Sequence, residues 1–226
     1  MNLLGFDTST AASAACVLRG DGEAFETAPD PAALAAPPAH AAELLPAIAD
    51  VMGRAGVGWS DLGAIAVGVG PGTFTGLRIG IATARALARA TGLGLRPVSS
   101  LAALAEGIGA RDGDTPLLPL IDARRGELFA ALYERGAAVW PPFAARPEEV
   151  VERVREAGIT PLAAGDGSVR FRRVLEPAGI RVAPDSDPAN VVRALHVCRL
   201  AGDVPDAAPD TVLPDYLRQP DAKPPR

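Results

Sequence analysis

Residues 68–80 read GVGPGTFTGLRIG and impose a strand, a glycine-rich turn and a helix in that order. The apolar run Ala64–Val69 precedes the turn, and a helical pattern from Leu77 to Ala90 follows it. Gly68, Gly70 and Gly72 permit positive φ and close backbone approach, Pro71 fixes the turn, and Thr73 or Thr75 can cap the helix. Beyond the turn, Gly72, Gly76, Gly80, Ala84 and Ala88 fall four residues apart, a ridge of small side chains down one helix face. Such a ridge lets another backbone come close, from this chain or from another subunit. The turn itself has two readings: an anion site at a helix N-terminus, or a tight corner that sets a helix against something else.

Motif spacing narrows the first reading. The segment is neither GxGxxG nor GxxxxGK[ST], because position 73 is threonine and no lysine follows, so neither dinucleotide nor P-loop binding is supported. Acidic residues outnumber basic ones by 27 to 22, a net charge of −5, which argues against broad nucleic-acid binding by this chain alone. The two cysteines, Cys16 and Cys198, lie in apolar segments and read as buried free thiols. The start MNLLGFDTST lacks a basic region followed by an apolar one, and no apolar stretch approaches ~18 residues, so a cytoplasmic protein with no membrane contact is expected.

Along the chain, Leu3–Phe6, Ala12–Leu18 and Ala24–Thr27 read as hairpin strands, followed by a Pro/Ala-rich loop over 28–39. A helix is expected from His40 to Ala55, with Pro46 in its first turns, then the strand and helix around the glycine segment. A strand at Leu95–Val98 and a helix from Leu101 complete a first unit. The polar run Ala110–Asp114 reads as a domain boundary. Strands at Leu117–Ile121, Glu127–Tyr133 and Ala137–Phe143, a helix at Glu148–Glu156, a strand at Pro161–Ala164 and helices at Val169–Leu175 and Pro188–Leu200 make a second unit. The Pro-rich tail from Asp203 is expected to be extended or loose. The expected organisation is residues 1–109, 110–202 and a tail, 203–226. Three strands followed by helices occur twice, as in the duplicated α/β architecture of actin-like, Hsp70-like (ASKHA) ATPases, an analogy at fold level.

Several clusters could carry chemistry. Asp7, Thr8, Ser9 and Thr10 either meet a cation and phosphate oxygens or form an Asx-turn that satisfies its own backbone. Asp122-Ala123-Arg124-Arg125-Gly126-Glu127 either binds a charged ligand or is a self-paired hairpin. Gly165-Asp166-Gly167 is a short turn where a nucleotide base would lie in an actin-like fold. His40 and His196 lack partners at zinc spacing beyond the weak pair His40 and Glu43, and no serine has a G-x-S-x-G setting.

Taken together, DTST at 7–10, His40 followed by LLP at 44–46, GPGTFTGLRIG at 70–80, IDARRGE at 121–127 and YLR at 216–218 resemble the TsaB (YeaZ) family over nearly the full length. The resemblance implies two actin-like lobes, the second reduced. It also implies a non-catalytic paralogue of TsaD, needed with TsaD and the ATPase TsaE to form N6-threonylcarbamoyladenosine at position 37 of tRNAs reading codons that begin with A. TsaD-like sisters carry an HxxxH metal pair, and an ungapped alignment places Ser100 and Leu104 there. No metal and no tightly bound cofactor are therefore expected, with ATP or ADP allowed only at the junction with TsaD and a low-weight anion contact at Asp7, Thr8 and Ser9. The helices beginning near His40 and Thr75 are implied to bundle with those of TsaD, or with a second copy when the protein is alone. That interface would use His40, Leu44, Ile48, Gly72, Thr75, Gly76, Arg78, Gly80 and Ala84, and tRNA would be met only through the complex. On this reading Gly76→Leu or Gly80→Leu abolishes association with TsaD and leaves the lone protein folded. The rival readings are a stand-alone actin-like ATPase or small-molecule kinase, and a metallopeptidase.

Overall fold

A computed structural model describes residues 1–28, 30–109 and 115–218. Strand β1 (Asn2–Asp7) pairs antiparallel with β2 (Ala14–Leu18), which pairs antiparallel with β3 (Ala24–Glu26). Side chains of β1 alternate: Leu4 and Phe6 enter one core and Leu3 another, so both faces of the sheet are covered. Gly5 lacks a side chain where Cys198 Sγ fills the space. Helix α1 (His40–Ala55) crosses over to β4 (Leu62–Gly70), parallel to β1, and α2 (Phe74–Thr91) crosses to β5 (Gly94–Ser99), parallel to β4. Helix α3 (Ser100–Gly109) ends this lobe. The expected boundary at 110–114 lies outside the described residues.

In the second lobe β6 (Leu117–Arg124), β7 (Glu127–Glu134) and β8 (Ala137–Ala145) form an antiparallel meander. Helix α4 (Pro147–Ala157) leads to β9 (Leu162–Ala164), parallel to β6. Short helices α5 (Asp166–Arg170) and α6 (Arg172–Leu175) lead to β10 (Arg181–Val182), parallel to β9, and α7 (Ala194–Leu200) packs back on β1 and β2 of the first lobe. The sheets run β3-β2-β1-β4-β5 and β8-β7-β6-β9-β10. In both, the order is third, second, first, fourth, fifth, so the duplication embraces all five strands rather than three. One core joins sheet and α1/α2 in the first lobe, a second joins sheet, α4 and α6 in the other, and a third, containing Leu101, Leu104, Ile121 and Phe129, is shared by both.

Four local expectations change. Pro46 is the seventh residue of α1, past the first turn, and it is exposed, so water can take the Ala42 carbonyl that it leaves unbonded. Thr73 occupies the N-cap of α2, yet its side chain makes no capping bond and its N–H donates instead to Ser9 O at 2.7 Å. The helix expected over 169–175 is interrupted at Phe171, and the one expected from Pro188 is a short turn at Pro188–Asn190, an extended link and then α7. The tail is extended but anchored, by bonds to β5, α2 and β4 as far as Asp215 and by Arg218 to Glu127 of β7. No helix among the described residues is long and apolar enough to cross a membrane.

Candidate functional site

The β1–β2 turn takes the Asx-turn form. Asp7 Oδ1 accepts from Ser9 N at 2.7 Å and Ser9 Oγ at 2.6 Å, and Oδ2 accepts from Ser100 Oγ at 2.6 Å. Burial raises the Asp7 carboxyl above its ordinary range, and these donors pull it back. Thr8 Oγ1 donates to Gly76 O at 2.8 Å. The side-chain oxygens of Asp7, Thr8 and Ser9, the residues of the expected anion contact, are thus buried and bound within the chain.

The glycine ridge faces this turn. A Cβ at Gly68 would strike the Asp7 carboxylate, one at Gly72 would meet Ser9, and those at Gly76 and Gly80 would meet the carbonyl and hydroxyl oxygens of Thr8. Ala84 and Ala88 continue the ridge into the first-lobe core, where Leu44 and Ile48 also lie. The backbone that the ridge admits therefore belongs to its own chain. Of the residues expected at an interface, Gly76, Gly80, Ala84, Leu44 and Ile48 are interior, and Gly72 is closed off by Ser9; Thr75 and Arg78 are exposed. His40, 3% exposed, opens α1 with Nδ1 2.8 Å from Ser13 Oγ, which itself donates to Glu43 at 3.2 Å; burial lowers its pKa.

Helices α1 and α2 turn outward a set of apolar residues, Ala41, Ala42, Leu45, Pro46 and Ala49 on one and Phe74, Ala82 and Ala86 on the other, interspersed with charged ones such as Glu43, Asp50, Arg54, Arg78 and Arg89. Leu45 is 55% exposed and Phe74 39%, large apolar groups on adjoining helices that sequence periodicity around the ridge did not single out. Their signal was present as apolar residues off the buried stripe.

The N-termini of α1 and α2 form one wall of a cleft of about 730 Å³, and the β6–β7 turn with Tyr216–Arg218 forms the other. That turn is a self-paired hairpin: Asp122 accepts from Arg124 N at 2.9 Å and pairs with Arg124 at 3.2 Å and Arg170 at 3.1 Å. Arg124 and Arg125 have φ of 64° and 54°, so the turn holds non-glycine residues in the left-handed region. Asp166 Oδ1 accepts from Asp122 N at 3.0 Å, and burial pushes its carboxyl up to about 6. Gly165 has φ 115°, and any Cβ there would meet Leu120 O, so that turn too packs on its own chain. Ser100 donates to Asp7, and Leu104 is fully buried in the shared core.

Two five-stranded sheets of one topology, joined across a cleft, define a two-lobed α/β protein of the actin-like class. The family described as "TsaD: tRNA N6-adenosine threonylcarbamoyltransferase" matches residues 34–169. The tRNA threonylcarbamoyladenosine biosynthesis protein TsaB of Escherichia coli is 31% identical, over 96% of this chain and 95% of that protein. Its Haemophilus influenzae namesake is 33% identical over 57% of this chain and 52% of its own length. The structure of YeaZ from Pseudomonas aeruginosa superposes with a TM-score of 0.78 at 29% identity, covering 96% of this chain and 99% of that one. The chain belongs to the TsaB (YeaZ) family.

Proposed function

We propose that this chain is a subunit, without catalysis of its own, in the formation of N6-threonylcarbamoyladenosine at position 37 of tRNAs reading codons that begin with A, acting with TsaD as transferase and TsaE as ATPase. The observation that supports this best is the likeness to a protein named for that biosynthesis over 96% of the chain. Leu104, where the TsaD-like pattern has a metal-binding histidine, carries no donor atom, and the Ser100 hydroxyl is committed to Asp7. TsaD docks on the outward faces of α1 and α2, meeting Leu45, Phe74, Thr75 and Arg78, and a second copy takes that face when the chain is alone. Apolar exposure on both helices favours this surface.

On this reading any ATP or ADP lies at the junction with TsaD. Arg124 and Arg218 reach this cleft but are paired with Asp122 and Glu127, in keeping with a chain that alone holds no nucleotide tightly. tRNA is reached through the complex, in keeping with a net charge of −5, and the work is cytoplasmic. Co-purification with TsaD and TsaE, with threonylcarbamoyl transfer to tRNA measured with and without this chain, tests the reading. Transfer should depend on the chain; undiminished transfer without it, or ATP turnover by the isolated chain, overturns it.

A further inference from the structure

The C-terminal segment leaves α7, runs back over the first lobe and ends on the second. Leu95 of the edge strand β5 and Ala207 exchange two backbone bonds, of 3.1 and 2.7 Å, and Arg96 pairs with Asp206 at 2.7 Å. Arg85 Nε donates to Val212 O at 3.1 Å, the Val212 side chain enters the first-lobe core, and Asp215 N donates to Val69 O at 2.8 Å. Past this point the segment crosses the cleft mouth. The Tyr216 ring stacks on Phe74 with centroids 5.3 Å apart, and the Arg78 guanidinium lies 3.8 Å from the Phe74 centroid while its Nε donates to Tyr216 OH at 3.1 Å. Leu217 packs on the core that both lobes share, and Arg218 pairs with Glu127 of β7 at 3.1 Å.

We infer that residues 215–218 are a latch that ties α2 of the first lobe to the β6–β7 hairpin of the second and sets the width of the cleft between them. The segment is fixed firmly only as far as Asp215, through backbone pairing and buried Val212. Beyond it, the Tyr216–Phe74 stack adds hold on α2 of the first lobe, while hold on the second comes from the partly exposed Arg218–Glu127 pair and from Leu217 on the shared core; the stack and the pair are each weak alone. Tyr216 is 38% exposed, so its stack can break without opening either core. Phe74 and Arg78 also belong to the outward face assigned above to TsaD. Resting on that reading, a partner that takes Phe74 competes with Tyr216 and frees the latch from α2, so that the cleft can widen.

Spin labels at Ser60→Cys, just before β4, and Glu156→Cys on α4, both exposed positions away from the outward face of α1 and α2, report the distance between lobes in the full chain, the native cysteines being buried. The parent should give one narrow distance distribution. Tyr216→Ala and Glu127→Gln should each broaden or lengthen it with little change in melting temperature, and Tyr216→Phe, which keeps the stack, should resemble the parent. Unchanged distributions in both Tyr216→Ala and Glu127→Gln overturn the latch. Glu127→Gln preserves the hairpin's shape, so the test survives if Tyr216→Ala folds poorly. Added TsaD should shift the parent toward the released distribution; TsaD that binds without a shift overturns the competition, and TsaD that does not bind overturns the proposed function while the latch stands on the isolated chain.

Discussion

At Gly76 the missing side chain is dictated by Thr8, whose carbonyl oxygen lies where a Cβ would go. Gly76→Leu must push apart β1 and α2, both built into the first-lobe core, so it should destabilise the lone protein by about 3 kcal/mol or more, read from urea denaturation. That replaces the expectation of a folded variant with a selective docking defect; a Gly76→Leu protein as stable as the parent would restore it. Asp7 behaves alike. The DTST sequence made an Asx-turn legible, but Ser100, 93 residues away and the third donor to the carboxylate, was not, because side chains meet there only after two crossovers. Asp7→Ala leaves the Ser9 and Ser100 donors buried without an acceptor and should cost about 1–3 kcal/mol, with Asp7→Asn costing less. Whatever fraction stays folded should still support tRNA modification, since nothing outside the chain touches this carboxylate in the proposed role.

Helix α2 shows how far periodicity reaches. A four-residue spacing of glycine and alanine identifies the face that meets another backbone, and that much was readable in the sequence. Whose backbone it meets depends on where the β1–β2 turn lies, which no local pattern records. With the ridge turned inward, docking in the proposed role falls to Leu45 and Phe74 on the opposite side, and Leu45→Glu or Phe74→Glu should weaken association with TsaD at least ~30-fold, the effect of about 2 kcal/mol. Because both side chains are substantially exposed, thermal unfolding should stay near the parent's; co-elution with TsaD as strong as the parent's would move the docking surface elsewhere. Helix α7 is the counter-case. Its start was misplaced because the cap comes from Glu26, whose carboxylate accepts from Leu195 N at 3.0 Å and pairs with Arg193 at 2.7 Å. Asn190 meanwhile turns its side chain to Gly165 N and Pro184 O rather than to a helix. Both partners are remote in sequence, so the composition of 188–200 alone favoured one continuous helix.

Across the whole molecule, element order was legible because each lobe writes its hairpin and crossovers in the same succession, while the shared core and the strap that closes the cleft are contacts between distant segments. Those distant contacts also bury titratable groups in opposing sets. Asp166, pushed up to about 6 by burial, contributes stability that is complete below the ordinary carboxyl value of 3.8 and lost as pH rises through 6; Asp7, raised by burial, acts in the same sense. His196, lowered to about 4 by burial and then by Arg193 and Arg199, contributes stability that is complete above 6.5 and lost as pH falls through 4, and His40, lowered by burial, acts with it. For Asp166 and His196 shifts of this size correspond to about 3 kcal/mol each, and between pH 4 and 6.5 the two sets pull against each other. Neither ring nitrogen of His196 has a hydrogen-bond partner among the described residues, so His196→Leu removes the charge-state dependence without stranding a polar neighbour. Urea midpoints followed from pH 4 to 7 should therefore fall with pH, relative to the parent's trend, in His196→Leu and climb relative to it in Asp166→Asn. If both variants track the parent across that range, the buried carboxyl and imidazole are not what governs its acid response.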